Sequence, residues 1–299
     1  MGPTSADHVD QSATTVLVTW NGRLGRVVTM RPSALGGLVR ACHPDACAAV
    51  TVVAVLLGVA VGRSPGGLVL VGAAVLTGQL SIGWYNDYLD AGRDAAAGRT
   101  DKPVASGAVG LRSVGVSAAV AFVACVPLSL AVGLRAGLLH LVAVGSGLVY
   151  DRWLKATAVS VLPYLVSFGL LPVFVVLGRQ PVAWWLPVAG ALLGAGAHFA
   201  NVLPDLTDDE ATGVRGLPHR LGATLSRWSA AVLLLGASVV LAVGPSGHPL
   251  PRTILAALSV LVLAAGLVVG RRPGSRVAFQ AVLVVALLDV VQLVIASLR

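Results

Sequence analysis

The sequence predicts an all-α polytopic membrane protein, a bundle of nine transmembrane helices, from three observations. The 299 residues are 56% hydrophobic and only 11% charged, with a mean hydropathy of +0.86, whereas soluble domains carry about 25% charged residues. The charged residues are confined to short islands between long apolar runs. Those runs are continuous and rich in Ala, Val, Leu and Gly, without the alternation a membrane barrel needs, so helices are left to satisfy the backbone in lipid.

Residues 1–40 carry Arg23, Arg26, Arg31 and Arg40 and show no cleavable signal-peptide pattern. They are expected to form a cytoplasmic segment that is partly disordered, followed by a single transmembrane domain over 41–299. A bilayer core of about 30 Å takes about 20 apolar residues as helix. Charge-free windows run over 46–62, 64–86, 113–134, 136–150, 156–178, 180–204, 228–251, 253–270 and 277–298. The fourth is short, and charge decides for it. With nine spans, sixteen of the 21 Lys and Arg fall on one side, which places the N-terminus and the large loops in the cytoplasm and the C-terminus opposite. Removing the fourth span destroys that asymmetry.

The net charge of +8 is dispersed over these islands, so nucleic-acid binding is not expected. Cys42, Cys47 and Cys125 lie in or beside apolar runs, without the spacing of a disulfide framework or a zinc site.

Eight of the 13 acidic residues sit in two islands. The first holds Asn86, Asp87, Asp90, Asp94 and Asp101; the second holds Asn201, Asp205, Asp208, Asp209 and Glu210. Asn86, Asp90 and Asp94 repeat as Asn201, Asp205 and Asp209 at an offset of 115. Positions i, i+4 and i+8 of a helix drift by only about 40° per step, so each set predicts a stripe of oxygen ligands at a helix end. Facing carboxylates repel one another and must be neutralised. Oxygen ligands without His or Cys suit Mg2+, which leaves positions for phosphate oxygens. The stripes thus suggest a Mg2+ and diphosphate site. Arg99, Lys102, Lys155, Arg215, His219 and Arg220 lie in the same loops as candidate phosphate contacts, Arg with bidentate geometry.

These residues resemble a known family. Asn86-Asp87-x-x-Asp90-x-x-x-Asp94 with Arg99-Thr-Asp-Lys102-Pro103 resembles the first aspartate-rich motif of the UbiA superfamily of intramembrane prenyltransferases. Asp205-x-x-x-Asp209 running on to Gly213-Val-Arg215 resembles the second, Tyr150-x-x-x-x-Lys155 the Tyr and Lys between them, and Arg40-x-x-His43-Pro44 the start of the first helix. The resemblance spans residues 35 to 225. Asp151-Arg152-Trp153 departs from the family's small residues and prolines after the Tyr, and the tail of the first motif is shortened.

The resemblance implies a nine-helix bundle with a central cavity, capped on the cytoplasmic side by the motif loops. It implies Mg2+ held by Asn86, Asp90 and Asp94 with Asp205 and Asp209, Asn201 being added by the internal repeat. It further implies Lys155, Arg99 and Lys102 on the phosphates, and transfer from a prenyl diphosphate to an acceptor, expected to be aromatic. Asp87 is a candidate ligand or base, Tyr150 a candidate for positioning either substrate, and Arg40 and His43 candidates for an acceptor carboxylate. A terpene cyclase of the same superfamily shares every motif residue. A secondary transporter is the rival from another class, but its charged site belongs near the midplane rather than at helix ends. Asp289, deep in the last window, is expensive to bury and is expected to be internally hydrogen-bonded. Oligomeric state is not legible in the sequence.

Overall fold

The computed structural model describes residues 13–20, 23–30, 34–206, 209, 213–246, 249–269 and 277–298. Ten α-helices are present among them: α1 (Ala34–Ala41), α2 (Pro44–Ala60), α3 (Pro65–Ala96), α4 (Leu111–Val132), α5 (Leu134–Val149), α6 (Leu162–Val176), α7 (Trp185–Val202), α8 (Leu217–Val243), α9 (Leu250–Val269) and α10 (Val277–Ser297). A π-helical turn, Tyr150–Leu154, continues α5, and a 3-10 turn, Leu203–Asp205, continues α7.

Four stretches are each long and apolar enough to cross a bilayer: Pro65–Ala96, Leu111–Val132, Leu217–Val243 and Gln280–Ser297. The pair α1 and α2, bent by 60°, passes the same test when taken together. Large apolar side chains such as Val69, Val123, Val232, Leu261 and Leu287 point outward. In water this many exposed aliphatics would be untenable, whereas in lipid they are the ordinary outer surface of a helix bundle.

Successive helices pack against one another from α2 to α10, and α10 returns to pack on α2 and α7, which closes the bundle. The interior is built from small and aliphatic residues, with Val71, Ala74 and Val75 of α3, Phe174 of α6, Leu186 and Ala189 of α7, and Leu234, Ala237 and Leu241 of α8. Small residues let the backbones approach closely, as membrane helices require in place of a hydrophobic drive.

Asp289 belongs to a buried polar knot. Ser238 of α8 donates to its Oδ1, and Gln292, one turn along α10, donates to the carbonyls of Ser238 (3.2 Å) and Arg252 (3.1 Å). The knot ties α8, α9 and α10 together away from the aspartate motifs, a structural role for this carboxyl.

Two elements are described at the N-terminus. The segment expected to be partly disordered contains an antiparallel strand pair, Ala13–Trp20 with Arg23–Met30. Its Thr and Val runs carry strand propensity. The Arg40–Pro44 stretch, expected to start the first helix, instead joins two: Arg40 lies in the last turn of α1 and Pro44 begins α2.

Candidate active site

Helix α3 runs unbroken for 32 residues, about 48 Å, so its last turns extend beyond a bilayer core of about 30 Å. Asn86, Asp90 and Asp94 lie on those last turns and all three line one large cavity of about 1330 Å³. Asn201 and Asp209 line it too. The second set does not form a continuous helical stripe, which corrects the simple repeat. Helix α7 ends at Val202 and the chain tightens into the 3-10 turn, where Pro204 lacks the N–H an α-helix needs. Asp205 is in that turn, and its side chain lies outside the described residues, as does Asp208.

The cations expected near phosphate are brought to these carboxylates. Lys155, at the end of the π-helical turn, donates to Asp90, as does Arg93 from the next turn of α3. Lys102 donates to Asp87 at 2.9 Å. Arg99 forms a bidentate pair with Asp101, at 2.9 and 2.8 Å, and this pairing holds the Asp101 carboxyl down at about 2. Arg40 donates to the Asp101 carbonyl at 2.9 Å, tying α1 to the first-motif loop. Arg215 is exposed and does not line the cavity.

Asp87 lies beside the stripe and lines the same cavity. It is 2% exposed, and its Oδ1 meets both Lys102 and His43 Nε2, the latter at 3.2 Å. His43 sits at the bend between α1 and α2 in a left-handed conformation (φ 57, ψ 65). The following Pro44 disfavours a right-handed helical residue at this position, so the chain turns here. The bend is pressed against α3, since a Cβ at Gly83 would lie 2.3 Å from the Cys42 carbonyl oxygen.

Several residues of the site were not anticipated. The Tyr150 ring meets Tyr164 of α6 edge-on at 5.2 Å, and the Tyr164 hydroxyl contacts Tyr150 and Asn201, linking the turn to the second motif. Burial, then Tyr164, Asp151 and Asp209, push the Tyr150 phenol well above its ordinary range, so it stays a donor. His198 packs against both rings with Nε2 3.0 Å from Ser160 Oγ, which accepts the Leu217 amide at 2.9 Å. Asp151 is buried and lines the cavity, and burial raises its carboxyl to about 8 against the pull of Lys155. A Cβ at Gly216 would lie 2.5 Å from the Lys155 carbonyl oxygen, so only glycine lets the second-motif loop settle against the turn that carries Lys155.

The donor set is entirely oxygen, which suits a hard divalent ion. Among the described residues no three His, Cys, Asp or Glu side chains converge on one point, and Asp90 is engaged by Lys155 and Arg93. The arrangement gathers carboxylates, amides and cations at one end of a cavity whose deeper wall carries Val50, Ile82, Phe168 and Ala197. It can hold a polyanion at the mouth and an apolar chain within.

Comparison with known proteins bears on this geometry. The profile of the UbiA prenyltransferase family matches residues 47–287. No curated protein matches the chain. A UbiA homolog from Archaeoglobus fulgidus bound to DMAPP and Mg2+ superposes with a TM-score of 0.68 at 16% identity, covering 87% of this chain and 98% of the other. A digeranylgeranylglyceryl phosphate synthase structure gives 0.66 at 16% identity, covering 88% and 98%. The apo structure of a UbiA homolog from Aeropyrum pernix K1 gives 0.65 at 19%, covering 82% and 97%. At these identities the structures establish a shared fold.

Proposed function

Because the chain belongs to the UbiA prenyltransferase family and is an integral membrane prenyltransferase, we propose that it moves an isoprenyl group from a prenyl diphosphate to an acceptor, expected to be aromatic, and releases diphosphate. The observation that carries this reading is the meeting of Asn86, Asp90, Asp94, Asn201, Asp209 and Lys155 at the mouth of one cavity. The relative from Archaeoglobus fulgidus, bound to DMAPP and Mg2+, supports the same substrate and metal classes here.

Asn86, Asp90, Asp94, Asn201 and Asp209, with Asp205, would hold Mg2+. The ion would neutralise charge on the diphosphate and stabilise it as it departs. Lys155, Lys102 and Arg99 bring the remaining positive charge to the phosphates, and the Tyr150 hydroxyl stays protonated as a donor. The apolar wall of Val50, Ile82 and Ala197 accommodates the isoprenyl chain and excludes water from the reacting carbon. The rings of Tyr164 and Phe168, stacked at 6.0 Å beside the cavity, offer π faces to an allylic cation. Asp87, with Oδ1 engaged by His43 and Lys102, acts best as the residue that positions those two. Arg40 and His43, both on the cavity rim, are placed for an anionic group of the acceptor. We place α2 to α10 across the membrane with the motif end cytoplasmic, supported by the sixteen of 21 basic residues on that side.

The test is product analysis by mass spectrometry. Detergent-purified protein receives Mg2+ and geranyl, farnesyl or geranylgeranyl diphosphate, with and without a pool of aromatic acceptors. A prenylated acceptor formed only when the pool is present is the expected result. Cyclic hydrocarbon or alcohol formed without acceptor would replace transfer by cyclisation, which uses the same motif residues.

A further inference from the structure

A second cavity, of about 720 Å³, lies on the opposite side of α3 from the aspartate stripe. Ser81, Tyr85 and Tyr88 of α3 line it. At 100° per residue these three share one face, and Asp90 falls about 180° around the helix from Ser81. The other wall is α4, where Gly115 and Ala119 keep the groove open. A Cβ at Gly115 would lie 2.9 Å from the Tyr88 ring, so this glycine lets the ring lie flat against α4 as the groove floor.

The groove is apolar along its length and cationic at one end. Arg112 is the charged residue that lines it, and Trp153, also in the lining, carries the Arg152 guanidinium 5.6 Å above its ring. Among the described residues neither arginine forms an ion pair. No carboxylate lines the groove. The first turn of α4 starts at this end from Gly110, without a side-chain cap, which leaves backbone N–H groups facing the same end. From Leu111 to Phe122 the α4 wall rises roughly 16 Å, about half of a bilayer core of about 30 Å. Its depth is therefore that of one leaflet, and its aromatic and basic residues sit where a headgroup region meets hydrocarbon.

We propose that this groove binds one anionic glycerophospholipid of the leaflet on the aspartate side, with the phosphate between Arg112 and Arg152 and an acyl chain along Tyr85, Gly115 and Ala119. The lipid packs against the back of α3, the helix whose front carries Asn86, Asp90 and Asp94, and against the turn that carries Lys155. It rests on the membrane location of the bundle and is independent of which acceptor is prenylated.

Native mass spectrometry of the full-length protein, delipidated in detergent and then given phosphatidylglycerol or phosphatidylcholine, reads this out directly. One phosphatidylglycerol is retained per chain, with a preference over phosphatidylcholine on the order of tenfold, as two basic residues at a surface provide. The Arg112→Gln Arg152→Gln variant loses that preference, and Arg227→Gln, an arginine elsewhere at the same end, keeps it. Ala119→Phe, which fills the groove, lowers retention of both lipids. Equal retention of the two lipids by the wild type, or an unchanged preference in the double arginine variant, overturns the proposal. Prenyl transfer by the wild type in the same preparation, with no lipid preference, would remove the lipid site and leave the enzymatic reading intact.

Discussion

Replacing Lys155 with glutamine is expected to lower kcat/KM for the prenyl diphosphate by about a hundredfold or more, the range found when one donor to a developing oxyanion is removed. Lys155 stands at the end of the turn between α5 and α6 and reaches Asp90 directly. Its ammonium is the cation that joins the Tyr150 turn to the aspartate stripe on α3. Glutamine is one atom shorter and keeps a donor, but removes the charge that a leaving diphosphate needs. The fold should survive, since Asp90 retains Arg93 as a partner. Steady-state kinetics with thermal unfolding as a control checks this: kcat falls while Tm moves little. A variant with wild-type kcat/KM would remove Lys155 from the reaction.

Asp87 carries the second large effect, and here stability moves with activity. Its carboxylate is buried between Lys102 and His43, and so anchors both the first-motif loop and the bend between α1 and α2. Breaking a buried ion pair costs about 3–5 kcal/mol when the remaining charge is left sealed in. Lys102 and His43 keep some access to solvent, so on the order of 2–3 kcal/mol is expected for Asp87→Leu. Turnover should fall steeply as well, because Lys102 is released from the cavity rim. Asp87→Asn still accepts from Lys102 and His43 and should recover most of the stability and part of the rate. If Asp87 served instead as the base that removes the acceptor proton, the Asn variant would be stable but as inactive as the Leu variant. Thermal unfolding and product formation, measured on both variants, separate the two roles.

The periodic features of this chain were the legible ones. Asn86, Asp90 and Asp94 share a face because α3 is regular through that stretch, and the rule of 3.6 residues per turn suffices to place them. The same rule fails at Asn201, Asp205 and Asp209, where Pro204 and the 3-10 turn interrupt the helix. Asn201, on the last turn of α7, and Asp209 still line the cavity, and beyond Asp209 the chain packs through Gly216 against the Lys155 carbonyl. Tyr164, Ser160 and His198 were not legible, because each lies in or beside an apolar stretch with no local pattern and gains its meaning from contacts between separate helices. The roles of Lys102 and Asp87 were only half legible. Spacing put both near the first motif, but which carboxylate the lysine meets depends on the fold of residues 97–110. The strand pair of 13–20 and 23–30 is weakly marked in the sequence, because Arg23 and Arg26 interrupt the apolar alternation of its second strand.

Diphosphate release is proposed to depend on a metal held by the two aspartate sets together. The most direct measurement is diphosphate release from a prenyl diphosphate as Mg2+ is titrated, for the wild type and an Asp90→Asn Asp205→Asn variant whose gel-filtration profile matches it. Release should rise with Mg2+ in the wild type, be abolished by chelation, and be absent from the double variant at every Mg2+ concentration. Wild-type release from the double variant, or release that persists without divalent ion, would contradict it.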